Sequence, residues 1–223
     1  MGIPIGGGPP EPQAPAISAS AITVTFHLMS RPITTRGATR PERPTKDELE
    51  AARDKKISDV MAPGLEVLFC GINPGLYSGA TGHHFARPGN RFWPALHKSG
   101  FTPRLLSPFE ERELLELGLG ITNVVNRTTA TAAELSTDEI KAGAAALRRK
   151  VKRSAPRVVA VLGVQTFRVG WGLPRAEIGP QEGSIGGTRI WVLPNPSGLN
   201  AHYQLPELAR LFARLRTASR QRA

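Results

Sequence analysis

The sequence predicts an α/β domain on a four-stranded, mainly parallel central sheet. Three observations carry this. Short apolar runs, Val67–Cys70 and Arg157–Leu162, read as strands buried on both faces. Segments with helix start and stop signals alternate with them, as in βα units. The connections are rich in Gly, Pro and Asn, the residues that turns require.

The elements follow in order. Residues 1–56 read as a Pro/Gly-rich and basic N-terminal extension, expected to be largely disordered. Gly6–Gly8, Pro9, Pro10, Pro12 and Pro15 break any regular element there. Ile17–Met29 is apolar enough for a strand but stands alone. Arg31–Lys46 is a basic linker. Within Pro44–Ile57 a short helix is predicted, with Thr45 as N-cap and Glu48 three residues on. The compact domain is assigned to residues 57–218, followed by a basic tail, 219–223.

The first strand, Val67–Cys70, ends at Gly71, and a glycine-rich loop follows from Asn73 to Gly89. Asn90 caps a helix running to about Lys98 and closed by Gly100. Pro108–Leu117 is a second helix, acidic in its first turn and stopped by Gly118. Ile121–Val125 is a short strand. Ser136–Val151 is a helix whose Ser136 and Glu139 form a capping box. Arg157–Leu162 is the next strand, Gly163 the turn and Val164–Trp171 a helix. Arg189–Leu193 is a strand ended by Pro194, and Leu205–Arg216 is the closing helix.

Composition narrows the function classes. The chain has 223 residues, 40% hydrophobic and 21% charged, which excludes a wholly disordered polypeptide. It holds no run of about 18 apolar residues, so no membrane span is expected. Met1–Gln13 lacks a basic start and an apolar core, so no secretory leader is expected. Cys70 is the sole cysteine. It allows no internal disulfide or thiolate-bound cluster, and its apolar surroundings suggest a buried, inert thiol. The five histidines show no helical ligand spacing, so neither metal nor cofactor is expected.

Charge is the positive signal. Lys and Arg number 29 against 18 Asp and Glu, a formal net charge of +11. Lys141–Arg157 holds seven basic residues and no acid, and Leu208–Ala223 holds five arginines and no acid. Val67–Phe109 contains no acid. Such an excess favours a polyanionic partner, most often nucleic acid; a solvated basic face is the plainer alternative.

In parallel sheets ligands sit beyond the carboxyl ends of the strands. Three segments fall there: Gly71–Gly89, Asn123–Thr131 and Pro194–His202. Gly71-Ile72-Asn73-Pro74-Gly75 holds an amide rigidly at a strand end, able to orient water but not to act as a general base; it is also an ordinary turn signal. Gly82-His83-His84-Phe85 places an aromatic in a glycine-rich loop, either as a stacking platform for a planar ligand or as a plug on the core. Pro194-Asn195-Pro196-Ser197-Gly198-Leu199-Asn200 carries an apolar residue at a polar tip. It is either a DNA-wedging side chain or one tucked onto the domain.

Together with Gly89-Asn90-Arg91-Phe92-Trp93, Thr122-Asn123 and Arg127-Thr128-Thr129, these segments closely resemble the Mug/TDG family of mismatch-directed uracil- and thymine-DNA glycosylases. The resemblance runs from about Ser58 to Leu211. It implies a three-layer uracil-DNA-glycosylase sandwich and a monofunctional, metal-free hydrolase. The enzyme would cut the N-glycosidic bond of a flipped uracil, or of thymine or another modified pyrimidine, opposite guanine in duplex DNA, initiating base excision repair. By that resemblance Asn73 orients the attacking water. Ile72, Ser78, His84, Phe85 and Asn123 meet the base, Phe85 by stacking. Ser197, Gly198, Leu199 and Asn200 form the intercalating loop, with Leu199 filling the vacated stack. The implied partner is double-stranded DNA containing G·U or related mismatches, met by a monomer. A cytoplasmic, nucleoid-associated setting is expected if the source is bacterial. No arginine follows Leu199 as in some members, so the basic segments Lys141–Arg157 and Arg210–Arg222 are expected to supply grip on DNA. Asp59 is a candidate remote electrostatic contributor. A non-catalytic protein that binds mismatches or abasic sites is the alternative.

Overall fold

The central strand, β1 (Val67–Gly71), is apolar on both faces, and every one of its residues is buried. A strand with no polar face must lie inside a sheet covered by helices on both sides. A computed structural model, which describes residues 1–2 and 43–221, has this arrangement. The expected lone strand Ile17–Met29 and most of the basic linker lie outside the described residues.

The elements run α1 (Lys46–Glu50), β1, α2 (Leu76–Thr81), α3 (Phe92–Lys98), a 3-10 helix (Pro108–Leu117), β2 (Leu119–Asn123), a short 3-10 turn (Ala132–Glu134), α4 (Thr137–Ser154), β3 (Val158–Leu162), α5 (Val164–Trp171), β4 (Gly179–Ile185), β5 (Thr188–Leu193) and α6 (Leu205–Arg220). The strand order is β2-β1-β3-β5-β4. β1 pairs in parallel with β2 and β3, and β3 with β5. β4 is antiparallel to β5.

One face of the sheet carries Val67, Phe69, Ile121 and Ala160 against Phe92, Leu96, Leu208 and Phe212 of α3 and α6. Phe69 is its centre, with rings of Phe92, Phe101 and Phe212 at 5.5, 5.3 and 5.8 Å. Truncating a buried Phe of this kind costs about 3–5 kcal/mol. The other face carries Leu68, Cys70, Val159, Val161 and Val192 against Ala144, Leu147, Val151 and Phe167 of α4 and α5. Cys70 is wholly buried, and that burial pushes its thiol pKa up, as expected of an inert thiol.

The sheet has five strands where four were expected. β4 escaped prediction because its burial is sparse and its pairing irregular between Pro180 and Ser184. Its signal is the pair Gly186-Gly187, both at positive φ, which closes a two-residue hairpin into β5. β2 lies two residues earlier than Ile121–Val125, since Leu119 pairs with Val67 and puts Asn123 at the strand's end beside Gly71. The expected loop Asn73–Gly89 contains α2. Packing also begins before residue 57: Ala52 is fully buried and Asp54 N–H donates to Thr128 O. At the other end α6 continues to Arg220 with Ser219 buried, so residues 219 and 220 are helix rather than tail.

Because β1, β2, β3 and β5 run the same way, Gly71, Asn123, Gly163 and Pro194 converge on one end of the sheet. The basic helix ends converge on the other. Gly64 N–H donates to Ser154 O and Arg157 N–H to Leu65 O, placing the end of α4 beside the start of β1. Ser219 Oγ donates to Glu66 Oε1 and Arg220 lies 3.9 Å from it. The arginines closing α4 and α6 thus sit about 16 Å, a five-residue strand, from the carboxyl ends. These last-turn residues lie at the opposite end of the sheet from the Pro194–Asn200 loop.

Candidate active site

At the carboxyl ends lies a cavity of about 190 Å³ lined by Ile72, Asn73, Ser78, His84, Phe85, Asn123, Ser197 and Leu199. Of the residues singled out in the sequence, Gly198 and Asn200 stand outside this lining. Asn200 lines a neighbouring groove of about 660 Å³. That groove is larger, but the rigid amides and the stacking ring belong to the smaller cavity, which is therefore the candidate site.

Asn73 follows β1 and is clamped through its amide nitrogen. Nδ2 donates to Arg127 O at 3.0 Å, Thr129 Oγ1 at 2.7 Å and Pro74 O at 3.2 Å. Three acceptors around one end fix which end is nitrogen. Among the described residues no hydrogen bond reaches Oδ1, so an acceptor oxygen remains for a ligand or water. The clamp extends the β1–β2 ladder: Val124 N–H donates to Gly71 O, Val125 N–H to Ile72 O and Thr129 N–H to Pro74 O. Thr129 is buried and its hydroxyl donates onward to Thr131 O at 2.7 Å. Arg127 anchors the segment from outside, on Glu139 at 2.8 Å and Asp54 at 3.0 Å. Sequence reasoning quoted Arg127 and Thr129 as part of a motif without giving them a role. Their signal was their place in the strand-end segment Asn123–Thr131.

Phe85 has a left-handed backbone, φ 53°. A bulky residue there costs about 1–3 kcal/mol and persists only where its surroundings impose it. Its ring stacks on Phe92, centroids 4.1 Å apart and planes within 25°. This ring and the Asn123 side chain both crowd Gly71, where a Cβ would meet Asn123 Oδ1 at 2.6 Å and Phe85 Cζ at 3.2 Å. Only glycine leaves the strand end open. Ser78, buried on α2, accepts from Ala86 N–H at 3.2 Å and ties the aromatic loop down.

The histidine pair meets a residue that sequence reasoning missed. Glu111 is buried, 6% exposed, on the 3-10 helix. Its Oε1 lies 3.0 Å from His83 Nδ1; its Oε2 lies 3.0 Å from His84 Nδ1 and accepts His84 N–H at 2.8 Å. Burial raises the Glu111 carboxyl pKa, but the hydrogen bonds from His84 and His83 outweigh it and hold the group below its usual range.

The Pro194–Asn200 loop is held by Arg91, which the sequence reading quoted in a motif without giving it a role. Its guanidinium reaches Asn200 O at 2.8 Å, Tyr203 O at 2.9 Å, Gly198 O at 3.2 Å and Ser197 O at 3.3 Å. Asn200 Nδ2 donates to Asn195 O and Ser197 N–H to Asn195 Oδ1, so these residues shape the turn. Gly198 is needed for space, since a Cβ would lie 2.5 Å from Gly89 O. Leu199 is 73% exposed, so it does not tuck onto the domain.

Asp59 lies elsewhere. It pairs with Lys150 at 2.6 Å and accepts from Thr122 Oγ1 at 2.7 Å, and it does not line the cavity.

Residues 58–216 match the family model described as the uracil DNA glycosylase superfamily. That superfamily consists of hydrolases that act on DNA, and the match covers the sheet, all the strand-end loops described above and most of α6. Fold, strand-end cavity and family match agree: the chain belongs to the uracil DNA glycosylase superfamily.

Proposed function

We propose that the protein is a mismatch-directed glycosylase of the Mug/TDG type, hydrolysing the glycosidic bond of uracil opposite guanine in duplex DNA. The observation that carries this reading is the clamped Asn73, whose Oδ1 has no partner among the described residues, in a cavity whose described lining includes neither carboxylate nor lysine. With no lysine there, a Schiff base has no nucleophile, which favours a monofunctional enzyme. With no carboxylate there, the reading does not rest on an acidic side chain taking a proton from water before the bond breaks. In this reading the N1–C1′ bond breaks first, its electron pair leaving with the base. Water held by Asn73 Oδ1 then adds its oxygen to C1′ of the cationic sugar, and its proton passes to solvent or to the departed base. Preorganised donors stabilise the anionic base as it forms.

A target base has to leave the stack to reach a cavity at a strand end, and a mismatched base leaves most cheaply. In this reading Phe85 stacks on it, Asn123 and Ser78 meet its edges, and exposed Leu199 enters the gap. Exposed Arg87 at the cavity contributes charge close to the site. The N-terminal extension is proposed as accessory to base excision.

The test is single-turnover release of base from G·U, A·U and G·T duplexes and from single-stranded uracil, read by alkaline cleavage at abasic sites. G·U is expected to be fastest. Tight binding to G·U or abasic DNA without base release supports the non-catalytic alternative and overturns this proposal.

A further inference from the structure

Resting on that reading, we infer that Glu111 is a positioning residue: it fixes the ring of His84 so that Nε2 offers a lone pair to an N–H of the pyrimidine. The carboxylate has no proton to give, so both imidazole nitrogens in contact with it are donors. For His84 this makes Nδ1 the N–H and leaves Nε2 on the far side of the ring. That nitrogen is buried and has no hydrogen-bond partner among the described residues. His84 is 1% exposed, yet it lines the cavity. A buried imidazole nitrogen left without a partner is costly in a finished core, and a ligand edge relieves that cost.

The ring has little freedom to do anything else. Glu111 Oε2 holds both the backbone N–H and Nδ1 of His84, and Trp93 Nε1 donates to His84 O at 3.3 Å. His83 occupies the other carboxylate oxygen and packs its ring edge against Phe109 at 4.9 Å. It is half-buried and holds the carboxylate from the solvent side. No step of the proposed hydrolysis otherwise uses Glu111, although a buried carboxylate between two histidines is an expensive feature to keep.

The experiment is a double-mutant cycle on uracil excision under single turnover, with Glu111→Gln, His84→Ala and their combination. Glutamine keeps the shape but presents an N–H₂ to groups that are themselves donors. Glu111→Gln is expected to slow excision about 10- to 100-fold through misorientation of the ring, with DNA affinity nearly unchanged. In the His84→Ala background it is expected to cause no further slowing. Equal slowing in both backgrounds, or none in either, overturns the inference. A second measurement needs no variant and no activity: the long-range ¹⁵N–¹H spectrum of the wild-type imidazoles. It is expected to show His84 protonated at Nδ1 alone, and a proton on Nε2, in the other tautomer or in an imidazolium, overturns the inference. A wild-type protein inactive on every uracil substrate would instead count against the proposed function, with the spectrum still deciding the Glu111–His84 geometry.

Discussion

Replacing Thr129 by Val removes one hydroxyl and little else, since the two side chains have nearly the same shape. The hydroxyl is the shortest of the three acceptors on Asn73 Nδ2, at 2.7 Å, in a residue 1% exposed. After the change Nδ2 keeps Arg127 O at 3.0 Å and Pro74 O at 3.2 Å, so Asn73 stays near its place but is held less firmly. One net hydrogen bond contributes about 1 kcal/mol. If that much is lost from the placement of water, the excision rate falls roughly fivefold, since about 1.4 kcal/mol is tenfold. Asn73→Ala removes the orienting oxygen itself and is expected to cost on the order of 10²–10³ in rate. The two changes act on one group, so the double variant should match Asn73→Ala alone. Single-turnover excision from a G·U duplex measures all three, with DNA affinity as the control. Thr129→Val at the wild-type rate would show that the hydroxyl does not hold the amide. Thr129→Val as slow as Asn73→Ala, or a further fivefold loss in the double variant, would place Thr129 on the substrate and refute the reasoning.

Two further outcomes are expected. Leu199→Ala should slow excision most from A·U duplexes, less from G·U and least from single strands, in the order of the opening each requires; equal loss on all three, by single-turnover rates, would make Leu199 part of the cavity wall. Arg91→Lys should loosen the wedge loop, because one ammonium cannot reach four carbonyls spread over Ser197 to Tyr203. The expected readout is faster proteolysis within residues 197–203 and an excision loss on duplex exceeding that on single strands, and unchanged cleavage would remove Arg91 from that role.

Much of this was legible in the sequence because it rests on local chemistry. Val67–Cys70 is apolar at every position, and only a doubly covered strand accepts that. Ser136 with Glu139 marks the start of α4 through contacts three residues apart. Gly71, Asn73 and Phe85 stand out as rigid or misplaced residue types at a strand end. The sequence by itself therefore determined the α/β class, the helices with strong caps and the three loops that meet at one end of the sheet. What only the tertiary structure decided depends on partners distant in the chain. Glu111 reads as one acid in an acidic helical turn until the fold sets it between His83 and His84. Arg91 stands in a motif without a role until four carbonyls more than 100 residues away surround it. The last turns of the two basic runs, with Lys152, Arg153 and Arg220, lie at the strands' amino ends, because a helix that starts beyond a strand's carboxyl end runs back along the sheet. Charge counted along a chain carries a sign and a magnitude, but its direction in space is set by the topology that folds it.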